Sequence, residues 1–261
     1  MKRFISQRTI WLKAADAILG AICCLALGRI HYLRHGRQRP PETQPETMRR
    51  ILVIRPGGLG DMILLMPVLR ALRERRPSLA VDIVCERRNA ELLHAIGFDG
   101  RVLLYDTAPL RFFRQLRAKP FDAVLDTEQF HHFSAVFAYL SGAPVRIGFK
   151  INPRRNALYT HLVNYDLDGP EGLQFQRLLG PLGFGAIAYE LEGCLSGFAA
   201  SADQGGNEPR EKPTTGFVAI HAGSHAACKH WAPERFAEVA KQRGITPDAA
   251  PADLAFLPPP P

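Results

Sequence analysis

Between Arg55 and Asp61 the chain reads RPGGLGD, glycines and a carboxylate in one short turn. Glycines let a backbone turn sharply and approach a ligand closely, and a helix that follows such a turn offers unpaired N–H groups to an anion. Asp61 falls at that helix start. A carboxylate there has the position of a general base, able to take a proton from an attacking hydroxyl. The same residue also suits a helix N-cap, where it would merely satisfy backbone donors. The spacing matches neither G-x-G-x-x-G nor a P-loop, so Gly57, Gly58 and Gly60 shape a turn of another kind.

A second segment, HAGSHAACKHWAPERF, carries Ser224, His225 and Lys229 in a loop ahead of Trp231 and a helix opened by Pro233. Such a loop can bind a diphosphate through Lys229 and backbone N–H groups. A solvated lysine beside a packing tryptophan is the plainer alternative. His131 and His132 adjoin Glu128, but no third ligand stands at a sensible spacing, so they read as surface histidines and no metal is expected. No nucleophile elbow supports a hydrolase. The cysteines number 5, an odd count without a C-x-x-C pair, which points to a reducing compartment and no structural zinc.

The elements that must position these residues alternate. Ile51–Arg55 is a β-branched run without alternation, as in a parallel strand buried on both faces. Asp61–Arg76 is apolar early and basic late, suiting a helix dipole, with Pro67 expected to kink it or mark a late start. Then come a strand at Ala80–Cys85, a helix at Asn89–Ile96, a strand at Arg101–Tyr105, a helical pattern at Leu110–Leu116, and a strand at Ala123–Asp126. A helix at Phe130–Leu140 and a strand at Arg146–Phe149 complete the series. This rhythm predicts an α/β fold, a mostly parallel sheet with ligands at the carboxyl ends of its strands. The turn RPGGLGD, Asp126 and Gly148 all belong there.

With 261 residues and 46% hydrophobic content, the chain can bury one or two such cores. Its formal net charge of +8 suits an anionic partner. The excess is concentrated in the first fifth, in Lys2, Arg3, Arg8, Lys13, Arg29 and Arg34 among others, which favours membrane phosphates over a nucleic-acid groove. No nucleic-acid motif appears. The uncharged stretch Ala17–Gly28 is too short to cross a bilayer comfortably. An interfacial helix on the cytoplasmic leaflet is the first expectation; a helix packed on the protein's own core and a cleaved signal are its alternatives. Residues 34–47 read as a polar, proline-rich linker.

Together, ILVIRPGGLGDMILLMPVLRALR and, after a linker, FVAIHAGSHAACKHWAPERFAEVA resemble the two signature segments of glycosyltransferase family 9, the ADP-heptose:lipopolysaccharide heptosyltransferases. The resemblance spans roughly residues 49–242. It implies a GT-B architecture of two Rossmann-like domains, the first binding acceptor and the second the nucleotide-sugar. It also implies inverting transfer without metal or cofactor. By position, Asp61 then matches the base that deprotonates the acceptor hydroxyl, and Gly57, Gly58 and Gly60 its acceptor loop. Lys229 matches the lysine on the donor diphosphate, with Ser224 nearby. The implied partners are an ADP-heptose-like donor, a lipid-linked saccharide and the inner-membrane surface at its cytoplasmic side, with no nucleic acid.

The expected division is an apolar helix and linker at 1–48, an acceptor domain at 49–196, a linker at 197–215, and the first β-α unit of an incomplete donor domain at 216–244. A proline-rich tail at 245–261 reads as a truncated end. A catalytically inactive remnant that binds an anionic glycan or lipid is therefore the rival expectation.

Overall fold

The computed structural model of the chain describes residues 14–36, 40–184, 187, 189–191 and 231–242. The chain divides into two compact units that meet in sequence at Gly206. Of the second unit, the described part is Trp231, Ala232 and the helix Pro233–Gln242. That helix forms where proline favours a first turn and Glu234 meets the positive pole of the dipole. The expected strand at 217–221, the linker at 197–215, Ser224, Lys229 and the tail lie outside the described residues.

The first unit is built on a parallel sheet of six strands. In chain order they are β1 (Arg50–Ile54), β2 (Ala80–Cys85), β3 (Val102–Leu104), β4 (Ala123–Asp126), β5 (Val145–Phe149) and β6 (His161–Val163). Their spatial order, β3-β2-β1-β4-β5-β6, is that of a Rossmann-like doubly wound sheet. Ile51, Leu52, Val53 and Ile54 are wholly buried, the two-sided burial that their unbroken apolar run requires. Ile51, Val53 and Ile83 join the core on one face, and Leu52, Ile54 and Val84 the core on the other.

Apart from two short 3-10 helices, Pro45–Thr47 and Gly180–Leu182, eight helices are described: α1 (Asp16–His35), α2 (Leu59–Arg75), α3 (Arg87–Ala95), α4 (Pro109–Arg117), α5 (His132–Leu140), α6 (Pro153–Asn156), α7 (Glu171–Arg177) and α8 (Pro233–Gln242). Residues of α2, α3 and α7 fill the first core and residues of α4 and α5 the second. Pro67 lies inside α2; the helix begins well before it, so the late start is not what the chain adopts. The pair β6 and α7 was not anticipated, because a three-residue edge strand shows little periodicity.

Two expectations for the amino-terminal part change. The helix α1 runs 20 residues, past the uncharged stretch, and is long and apolar enough by composition to cross a bilayer. Residues 40–47 are not a free tether. Arg76 donates to the carbonyls of Pro45, Glu46 and Met48, the Thr43 hydroxyl donates to Pro181 O at 2.6 Å, and Met48 is buried. Most of these residues are exposed, as proline and polar composition predict, but a single arginine satisfies two of the segment's carbonyls and that of the adjoining Met48.

Candidate active site

In a sheet of this order, the strand order reverses between β1 and β4, and their helices leave toward opposite faces. That opens a crevice at the carboxyl ends of these two strands. Arg55 follows the last residue of β1 and is buried there. A guanidinium taken out of water needs acceptors for its fork of donors, and Arg55 collects them from both loops. Its Nε donates to Gly57 O at 2.9 Å and its Nη1 to Thr127 O at 2.9 Å. Its Nη2 donates to Asp61 Oδ2 at 2.8 Å and stands 3.5 Å from Glu128 Oε2. The plane lies over the Phe175 ring, 5.6 Å from its centroid. One side chain thus fastens the β1–α2 loop to the β4–α5 loop.

Asp61 is not the N-cap of α2. That position is held by Gly58, with no side-chain cap, and Asp61 sits within the first turn. Its carboxylate turns back to Arg55 instead of to the helix donors, so the capping alternative is set aside. One oxygen is held by the charge-assisted bond. The other has no hydrogen-bond partner among the described residues, and the side chain is 39% exposed. Gly58 makes this geometry possible. Its φ is +75°, and a Cβ at that position would lie 2.3 Å from Asp61 Oδ2, so any larger residue would be strained and would displace the carboxylate. Gly57 belongs to the same loop, whereas Gly60 is a residue of α2 with open space around it.

The Glu128 carboxylate is buried, and its Oε1 accepts from the backbone N–H groups of Gln129, Phe130 and His131. It organises the loop. Beyond it, Glu171 at the start of α7 accepts from the Tyr165 hydroxyl and from Gln129 Nε2. Burial pushes the Glu171 carboxyl above its usual value, and the negative charges of Asp61 and Glu128 add to this, against the opposing pull of Tyr165 and Arg55. Burial likewise pushes the Tyr165 hydroxyl up to about 12. The crevice therefore has one exposed carboxylate, Asp61, backed by an arginine and flanked by a second carboxyl whose charged form is disfavoured.

Asp126 ends β4 as expected but is wholly buried, and serves the framework. It accepts from Arg155 Nη2 at 2.9 Å and from the Tyr159 hydroxyl at 2.6 Å, and burial pushes its carboxyl up against the pull of Arg155. Gly148 sits under the Tyr159 ring, where a Cβ would meet ring carbons at 2.5 Å. The histidines are not both surface groups. The His132 side chain is only 12% exposed, while His131 Nδ1 lies 3.3 Å from Asp16 Oδ2. Among the described residues no group of His, Cys, Asp or Glu could hold a metal ion.

Sequence reasoning placed Asp61 and its loop but missed Arg55, Gln129, Tyr165 and Glu171. A cation closing an otherwise apolar strand was the available signal for Arg55. The other three depend on β6 and α7, whose signal was weak. A separate cavity of about 650 Å³ opens at the opposite, amino-terminal edge of the sheet, where Arg50 and Arg101 both pair with the buried Asp82. Those two guanidiniums share one buried carboxylate, whereas the crevice at the carboxyl ends of the strands holds the partly exposed Asp61 carboxylate.

Comparison with known proteins gives a consistent result. The profile of glycosyltransferase family 9 (heptosyltransferase) matches residues 109–245. That span includes Glu128, Glu171, Ser224 and Lys229 and begins after Asp61. The crystal structure of a glycosyl transferase family 9 protein from Veillonella parvula DSM 2008 superposes with a TM-score of 0.55 at 20% identity, covering 78% of this chain and 62% of that one. Escherichia coli heptosyltransferase WaaC with ADP gives a TM-score of 0.46 at 20% identity, covering 56% of this chain and 52% of that one. The chain thus spans about half the length of the E. coli protein. No curated protein sequence matches it.

Proposed function

The chain belongs to glycosyltransferase family 9, the heptosyltransferase family, and from that premise we propose that it transfers a heptose-like sugar from a nucleotide-sugar of the ADP-heptose kind. The acceptor would be a lipid-linked saccharide of lipopolysaccharide core or a related surface glycan, met at the cytoplasmic face of the inner membrane. The observation that carries this reading is the Asp61 carboxylate, one oxygen fixed by Arg55 and the other unpartnered among the described residues, at the mouth of the β1/β4 crevice.

In the proposed reaction an acceptor hydroxyl oxygen bonds to the anomeric carbon of the donor, the bond from that carbon to the diphosphate breaks, and the hydroxyl proton passes to the free oxygen of Asp61. The nucleoside diphosphate leaves with the electron pair. Arg55 acts by holding the carboxylate in place, a hydrogen bond that needs no rearrangement during the step. Lys229 and Ser224 are proposed as the diphosphate contacts. Glu171 is proposed to hold a sugar hydroxyl rather than to take the proton, since its oxygens are already engaged by Tyr165 and Gln129.

The test is nucleoside diphosphate release from ADP-heptose by the purified protein with a lipid A-linked acceptor. Asp61→Ala should lower the rate at least ~10²-fold, the usual scale for loss of a general base, in a protein that a thermal melt shows to be folded at the assay temperature. Equal rates for the two proteins would remove Asp61 from catalysis, and absence of turnover in both would refute the transferase reading.

A further inference from the structure

The helix α1 is apolar on two faces, and among the described residues only one of them meets protein. Its inner face carries Asp16, Gly20, Cys24 and Gly28, four residues apart, so they fall on one side of the helix. A Cβ at Gly20 would lie 2.8 Å from His132 Cβ, and one at Gly28 would lie 3.0 Å from Ala157 Cβ. Cys24 is wholly buried and its thiol lies 3.5 Å from His132 O. Asp16 Oδ2 accepts from His132 N at 3.0 Å, and Asp16 Oδ1 accepts from Phe133 N at 2.8 Å. Asp16 thereby caps α5 from a different helix. The docked seam runs from Asp16 to Gly28, or about 18 Å of helix.

The outer face presents Ile18, Leu19, Ile22, Leu25, Ile30 and Leu33, each between 40% and 72% exposed. Scattered apolar residues on a surface need no explanation, but six along one side of a helix, with Arg29 set among them, do. Asp16 is the one acidic residue of α1 and is buried at the inner seam. Arg29 and Arg34 are exposed and pair with no carboxylate among the described residues. The outer surface is therefore apolar with positive charge and without negative charge.

We infer that the outer face of α1 is a docking surface for an acidic phospholipid bilayer, with the helix lying flat in the headgroup region while its inner seam stays on α5 and α6. The apolar row enters the acyl boundary, typically to a depth of ~5–10 Å, and Arg29 and Arg34 meet lipid phosphates. A spanning arrangement conflicts with the seam. To cross, α1 would have to carry α5, α6 and the buried Arg155–Asp126 pair into the hydrocarbon or give up its contacts with them.

The same seam connects the membrane to the site. Asp16 holds the first residues of α5, and the loop just before them, Thr127 to His131, is held from its other side by Arg55 and Glu128. Lipid docking would fix the β1/β4 crevice at a set height over the bilayer. The inference about lipid rests on α1 alone; only this last step depends on the transferase reading.

The test is flotation of the full chain with phosphatidylcholine vesicles, with and without ~30% phosphatidylglycerol, scored without any sugar donor so that its outcome is independent of transfer activity. The expected result is flotation with the acidic vesicles, weakened in 1 M salt as charges are screened and released by carbonate at high pH. Leu25→Glu with Leu33→Glu should lower partitioning at least ~10²-fold, since two half-inserted leucines are replaced by charges. Protection of the Cys24 thiol in that variant would show that the helix is still docked. The inference is overturned if the native chain stays in the dense fraction, if the variant floats equally, or if carbonate fails to release the protein. It is equally overturned if size-exclusion shows a dimer that the double variant dissolves while vesicles are ignored, because a second copy then covers the face.

Discussion

Replacing Asp16 by alanine removes the carboxylate that accepts from the backbone N–H groups of His132 and Phe133 at 3.0 and 2.8 Å. Both donors belong to the first turn of α5, where no helical partner exists for them, and the Asp16 side chain is only 10% exposed, so water does not readily replace it. Loss of an N-cap costs roughly 0.5–2 kcal/mol, and a buried donor left without an acceptor costs about 1–3 kcal/mol. Taking these as overlapping descriptions of the same two bonds gives about 2–4 kcal/mol.

Because α5 packs directly on the sheet, the loss should appear in global unfolding. For a unit of this size the melting temperature should fall by about 5–15 °C. Asp16→Asn, which keeps one acceptor oxygen, should lose about half as much. Differential scanning fluorimetry gives the first readout. The second is alkylation of Cys24 at pH 8, followed by site-resolved mass spectrometry. Burial pushes this thiol up to about 12, so it should be inert in the native protein and react once α1 lifts from α5.

The pH dependence has a definite sign. Burial alone would raise the Asp16 carboxyl, but the His131 ring and the N–H groups of Phe133 and His132 outweigh it and hold it below its usual 3.8. A depressed carboxylate contributes stability that is complete above the unfolded value and is lost as pH falls through the folded one. The Asp16 contribution to thermal stability should therefore persist at pH 5 and be lost only below the ordinary carboxylate range. A melting temperature within 1 °C of the native value, together with a still-protected Cys24, would refute the cross-helix cap.

Gly58→Ala should strain a backbone at φ +75° and drive a methyl into Asp61 Oδ2; a thermal melt should show a loss of about 1–2 kcal/mol, and transfer should fall as far as in Asp61→Ala. Arg155→Met should strand the buried Asp126 carboxylate, lowering stability in urea by about 3–5 kcal/mol, and adding Asp126→Asn should recover part of that loss.

The alternation of strands and helices was legible because its signal is local. Ile51–Ile54 reads as a strand buried on both sides since all four side chains are apolar and adjacent, and the core on each face of β1 uses them two by two. The glycine turn was legible for the same reason, since Gly58 and Asp61 are three residues apart and their steric relation is set by one turn of helix. The choice between cap and free carboxylate for Asp61 was not, because the deciding partner, Arg55, could have pointed elsewhere. What fixes Arg55 is the Thr127 carbonyl, 72 residues away in sequence and one strand away in space.

The amino-terminal helix shows the same limit. Its apolar composition announced that something must cover it, and the sequence offered a membrane and a protein core as alternatives. Among the described residues the structure places protein on one face and leaves the other exposed. Side-chain type and periodicity are properties of the chain, so the elements and the turn could be read from it. Which donor meets which acceptor is a property of distance, and Asp16 with His132, Arg55 with Thr127 and Glu171 with Gln129 became neighbours only when the chain folded.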